Sequence, residues 1–172
     1  MYAIVFVTLL SQAPPPPPLD FYVERAVLMG CDEHLARELL NVEELAGVPE
    51  RLRGMLLAKA SHESRFIATA TGDNGKAVGL LQLWPWALKY IPDRTDPIAS
   101  AHTFLGAVLF ALRRVPYACP KARDRWVTAW IRINRGPTWR RPDKLGEPRC
   151  GGSLPRGLKI LRRWRRAALS GR

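Results

Sequence analysis

Acidic residues, cysteines, histidines and long apolar runs are all scarce in this chain, and each shortage excludes something. Only 15 Asp and Glu stand against 27 Lys and Arg in 172 residues, giving a formal net charge of +12. Such an excess draws a protein toward polyanions: nucleic acid, anionic lipid or the acidic polymers of a cell wall. Charge alone does not choose among them. The three cysteines, Cys31, Cys119 and Cys150, are too few for a disulfide-built scaffold and lack metal-ligand spacing. An odd number leaves at least one thiol unpaired within a monomer. A Cys119–Cys150 bridge in an oxidising compartment and buried free thiols are both open readings. His34, His62 and His102 are scattered without ligand spacing, so no metal is assigned and no cofactor is expected. No later stretch is long and apolar enough for a transmembrane helix.

Alternation of the strand type is also scarce, and helical periodicity takes its place. Met1 to Ala13 carries the apolar run AIVFVTLL followed by Ser-Gln-Ala, like a short signal-peptide core before a cleavage site. Export to the periplasm or cell envelope is expected on that ground. The missing N-terminal Lys or Arg and the position of Pro14 argue against easy processing. Pro14 to Pro18 form an unbroken proline run, read as an extended spacer ending a segment 1–18. A domain over 19–140 follows, then a basic extension over 141–172. Leu35, Leu39 and Val42 mark one helix, with Asp32 as its N-cap. Asp96-Pro97 opens another, carrying Ile98, Leu105, Leu109 and Leu112. Trp126, Trp130 and Ile133 mark a third. Between Thr69 and Gly79 the periodicity collapses into TATGDNGKAVG, where Asp-Asn-Gly favours a tight turn or small hairpin. The expected fold class is mainly α, one helical domain with a small irregular or β-hairpin insertion.

The segment Val48 to Phe66 carries the chemistry. Pro49 is placed to be the first helical residue, with Glu50 at the positive end of the helix dipole. Leu52, Leu56, Ala60 and Glu63 then follow by four, four and three positions, which sets them on one stripe. A carboxyl ending an apolar stripe, near the negative end of the dipole, is expected to favour its protonated form. That is the requirement for a general acid near neutral pH. An exposed helix end, with Glu63 reaching solvent, is the plainer alternative.

Three short motifs weigh against the plainer alternative. Glu63-Ser64-Arg65-Phe66 is followed by Ala70, Gly75, Gly79-Leu80-Leu81-Gln82-Leu83 and Pro85, and then by Ile133-Asn134-Arg135-Gly136-Pro137. In order and interval this resembles the signature of soluble lytic transglycosylases: E-S-x-F, a Gly-containing turn, G-L-M-Q-x-x-P, and Y-N-x-G-P. The resemblance runs over roughly Val48 to Trp139. Leu81 stands for the usual Met, and Ile133 for the usual Tyr, so a hydroxyl expected near the catalytic carboxyl is missing unless Tyr90 or Tyr117 supplies it. The resemblance implies a lysozyme-like fold with a groove for peptidoglycan glycan strands. It implies that Glu63 protonates the glycosidic oxygen after N-acetylmuramic acid. Glu63 then takes the proton of that sugar's 6-hydroxyl, giving a 1,6-anhydro product without water. It places Ser64, Gln82 and Asn134 at positions that bind substrate or order the site. Each also has a local reading: Ser64 capping backbone, Gln82 satisfying a bend, Asn134 ending its helix.

Asp73 stands in the insertion where goose-type lysozymes, which share that fold, carry a second acid. It is either that second carboxylate, which a hydrolase generally needs, or part of an Asx turn. Trp84, Trp86 and Trp139 suit either sugar stacking or core packing. From Arg156 to Arg172 there are seven Arg or Lys and no acid, with Leu154, Leu158, Leu161, Trp164 and Ala168 as an apolar edge. That describes an amphipathic helix for an anionic membrane or wall polymer, or a last core helix with a solvated face. A degenerate domain that grips glycan without cutting it is a further reading. A nucleic-acid protein ranks last, since no reading motif accompanies the basic tail.

Overall fold

The computed structural model describes residues 16–119, 121–134 and 154–170. The N-terminal apolar run, Gly136, Pro137, Trp139 and Cys150 lie outside them. Seven α-helices and one two-stranded hairpin are described, so the chain is mainly helical. None of these helices is long and apolar enough to cross a membrane. Pro17 is already buried, so the proline run ends against the body rather than as a free spacer.

Helices α1 (Leu19–Val27) and α2 (Glu33–Leu45) pack on each other. Gly30, at φ 92°, lets the chain reverse between them. The Cys31 N–H then returns to the Ala26 carbonyl at 2.9 Å. Asp32 caps α2 as expected, accepting from the Leu35 N–H at 2.9 Å. Cys31 is free and buried, and burial, reinforced by Asp32, pushes its thiol up to about 12.

The helix expected to begin at Pro49 begins six residues later. Pro49 precedes a short 3-10 turn, Glu50–Leu52, and α3 spans Met55–Glu63. Gly54 interrupts the two at φ 83°, and a Cβ there would stand 2.6 Å from Cδ1 of Tyr22. The new start is capped from outside the segment. Glu43, buried on α2, accepts from the N–H groups of Gly54 and Leu56, each at 2.6 Å. Burial pushes the Glu43 carboxyl up to about 8, against the pull of those two bonds. From Met55 to Ser61 every residue of α3 is buried, so burial runs round this part of the helix rather than along one stripe. Burying Met55, Leu56 and Leu57 contributes roughly 1.5–3 kcal/mol each.

Helix α4 (Pro97–Leu112) starts where Asp96 accepts from the Ile98 and Ala99 N–H groups at 2.9 Å. After the short α5 (Val115–Ala118), α6 (Arg125–Asn134) lies against α4 and buries Trp130 completely. Asp124 caps α6 through the Val127 N–H at 3.1 Å. Cys119 is disulfide-bonded; Cys150, its partner in one of the two open readings, falls outside the described residues.

Helix α7 (Arg156–Leu169) takes the second of the two readings of the tail, a last core helix with a solvated face, rather than a separate extension. It packs on α3, burying Leu158, Leu161 and Trp164 in the same core. Gly157 makes this approach possible, because a Cβ there would stand 3.0 Å from the Lys59 Cα and 3.2 Å from Cζ2 of Trp130. The apolar edge faces inward, while Arg156, Lys159, Arg162, Arg163 and Arg166 are exposed. The physical reason is area: α3 is buried from Met55 to Ser61 and needs a cover on this side.

Candidate active site

The segment after α3 is stitched to it by side chains of the motifs. Ser64 is buried, its Oγ 2.8 Å from the Leu80 carbonyl and 3.2 Å from that of Ala60. It thereby ties the first motif to the second. Strands β1 (Thr71–Gly72) and β2 (Ala77–Val78) pair antiparallel, with Thr71 opposite Val78 and Gly72 opposite Ala77, so the expected hairpin is present. A bridge between Val78 and Leu83 folds the chain back again. Gln82 donates from Nε2 to the carbonyls of Ala70 at 3.0 Å and Gly79 at 2.9 Å. Its Oε1 occupies the space where a Cβ at Gly72 would stand, 2.6 Å away. Ser64 and Gln82 thus use these polar atoms to hold the loop.

Backbone strain concentrates in the same stretch. Among the described residues, the non-glycine positions with positive φ are Arg65, Phe66, Asp73, Asn74 and Gln82. A bulky residue such as Phe66, at φ 65°, costs about 1–2 kcal/mol in that conformation. Strain of this kind persists only where surrounding bonds over-determine it, and it gathers at functional sites. Gly79, at φ 85°, marks the tightest approach: a Cβ there would run into the Arg94 carbonyl. Gly79→Ala is therefore expected to destabilise by about 3 kcal/mol or more. In a chain of this size that lowers the thermal midpoint by roughly 6–12 °C. A calorimetric midpoint within 2 °C of wild type (roughly 1 kcal/mol or less) would contradict it.

Glu63 ends α3, with its side chain 26% exposed, so it is neither sunk in the core nor free in solvent. One turn earlier on the same face stands Lys59, a residue the sequence analysis passed over. Its side chain is 7% exposed and its Nζ donates to Glu63 Oε1 at 2.8 Å. The same Nζ donates to Asn134 Oδ1 at 3.2 Å, joining the ends of α3 and α6 across 75 residues of sequence. It also lies 5.0 Å from the centre of the Phe104 ring. Burial lowers the Lys59 pKa, and the Glu63 carboxylate opposes that shift. The expectation of a lone carboxyl on an apolar stripe is thus corrected: Glu63 has a buried cationic partner. The signal was present as an i,i+4 Lys–Glu spacing.

Asn134 is exposed, with its side-chain oxygen directed to Lys59, and Ile133 is half-buried against the core. Asp73 lies at the exposed hairpin turn, where its carbonyl accepts from the Lys76 N–H at 3.2 Å. Trp84 is 45% exposed and Tyr90 62% exposed. Trp86 meets Tyr90 edge to face at 6.5 Å. A cavity of about 580 Å³ elsewhere is lined by Arg51, Asp124 and Trp126 among others, and includes none of the motif residues. No protein-family model, curated protein or solved structure matches this chain.

Proposed function

We propose that this is a peptidoglycan lytic transglycosylase with a lysozyme-like fold, using Glu63 as its single general acid and base. The observation that most supports this reading is the chain of contacts Glu63–Lys59–Asn134. It joins Glu63, the first residue of E-S-x-F, to Asn134 at the end of α6, which nothing in local helix formation requires to meet. Ser64 and Gln82 serve as the braces of the loop beside Glu63, and Asn134 as a polar group at the site's edge. The exposed aromatic rings of Trp84 and Tyr90 suit the apolar faces of sugars. The envelope is the proposed location. The exposed cations of α7 are proposed to hold anionic wall polymer or membrane chiefly by charge, since Leu158, Leu161 and Trp164 are used in the core.

Transglycosylation needs one carboxyl because the second nucleophile is the substrate's own 6-hydroxyl, held at high effective concentration. Digestion of purified peptidoglycan followed by mass spectrometry tests the reading. Reducing ends are expected as 1,6-anhydro-N-acetylmuramic acid, lighter by one water than hydrolysis products. Asp73→Asn is expected to keep most of the wild-type rate and the same products, because Asp73 lies in a turn. Hydrated ends that vanish with Asp73→Asn would make the protein a goose-type hydrolase. Binding without any cleavage would make it a glycan-gripping domain.

A further inference from the structure

We infer that Lys59 is a positioning residue for Glu63, fixing one carboxylate oxygen and holding in reserve the proton that Glu63 delivers to the glycosidic oxygen. The inference rests on the transglycosylase reading of Glu63. Its geometry is independent of that reading. Lys59 comes from the buried stretch Met55 to Ser61 of α3, and its ammonium has two oxygen partners on two different helices. A buried ammonium is costly unless paired and hydrogen-bonded. A lysine serving packing alone would be better replaced by an aliphatic side chain.

Among the described residues, the groups around Lys59 leave Glu63 as its charge partner. From α4 it meets the Phe104 ring, and from α6 the Asn134 amide oxygen. From α7 it meets Gly157, at the backbone, while Arg156 and Lys159 of that helix face solvent. On α2, Glu43 bonds to Gly54 and Leu56 at the opposite end of α3, where α1 contributes Tyr22. On α3 itself, His62 is half-buried beside Glu63. Burial makes Lys59 give up a proton more readily than an exposed lysine does.

The proton count closes over one turnover. In the resting pair, Lys59 is an ammonium and Glu63 a carboxylate. Transfer across the 2.8 Å hydrogen bond gives a neutral amine and a carboxylic acid. Glu63 then protonates the glycosidic oxygen as its bond to the anomeric carbon breaks, and the leaving sugar departs with that proton as its 4-hydroxyl. The Glu63 carboxylate next takes the proton of the 6-hydroxyl as that oxygen bonds the anomeric carbon. Passing it back to Lys59 restores the starting pair. No water and no other co-reactant is consumed.

Because the pair shares one proton, its loss is a property of both groups. The alkaline limb of kcat in the wild type then marks the loss of the Lys59 proton. In Lys59→Met the lysine's proton is gone from the pair, so the limb is expected to move to lower pH by about one unit or more. At pH 8, kcat is expected to fall about tenfold or more, with KM little changed. A limb that stays in place in an active Lys59→Met variant makes Lys59 structural and overturns the inference. A second measurement needs no variant at the lysine. The 13C-labelled Lys59 side chain of the whole protein is followed by NMR against pH. Its midpoint is expected to coincide with the kcat limb, and to fall in Glu63→Gln, which removes the opposing carboxylate. A midpoint unmoved by Glu63→Gln overturns the pairing whether or not Lys59→Met folds. If wild type leaves peptidoglycan intact, the transglycosylase reading and the catalytic part of this inference fall together. If wild type cuts and only the limb stays fixed, this inference falls alone.

Discussion

Under the proposed transglycosylase reading, a folded Glu63→Gln protein is expected to release almost nothing from purified peptidoglycan. The amide is close to isosteric, and its oxygen still accepts from the Lys59 ammonium, so the ends of α3 and α6 stay joined. It can neither give the leaving oxygen a proton nor take one from the 6-hydroxyl. Loss of general acid and base work together is worth about a thousandfold or more in rate. The release of anhydro-muropeptides over time measures it, beside a thermal midpoint that verifies folding. Comparable release by wild type and a folded variant would remove Glu63 from the mechanism.

Deleting residues 156–172 is expected to unfold the protein rather than merely loosen its hold on a charged surface. Leu158, Leu161 and Trp164 are buried in the common core, and each contributes roughly 1.5–3 kcal/mol by its own burial. Their loss also strips the cover from α3. A domain has only about 5–15 kcal/mol to lose. Circular dichroism and limited proteolysis check this: a truncated chain with a cooperative melt near the wild-type midpoint would return α7 to the status of an appendage. Charge and fold are separable on this helix, since Arg156, Arg162, Arg163 and Arg166 are exposed whereas Leu158, Leu161 and Trp164 are buried. A variant with those four arginines changed to Gln serves as the folded comparison.

Where the sequence was legible, the cause was local. The caps at Asp32 and Asp96 act within three residues, so side-chain type and spacing were enough. The hairpin at Thr71–Val78 followed from a turn sequence that tolerates positive φ at Asp73, Asn74 and Gly75. What was misplaced depends on partners distant in sequence. Pro49 is a sound helix starter, but Tyr22 and Glu43 impose the break at Gly54 and the start at Met55. The inward turn of α7 depends on Gly157 meeting Lys59 and Trp130. Of the candidate site, Glu63 and Asn134 are brought together, but through a lysine hidden by its apolar neighbours. Ser64 and Gln82 are placed, with their polar atoms given to the loop.

The docking of α7 on α3 also orders events in time. Contacts between helices about a hundred residues apart form late and slowly, because a long loop must close before they are rewarded. During synthesis, α1, α2 and the hairpin emerge while α3 still lacks one wall. The nascent chain carries an uncovered apolar helix until residue 169 has cleared the ribosome. The surroundings of Glu63 and Lys59 are therefore assembled only after translation has passed that point, and a polypeptide stalled short of it is prone to aggregate.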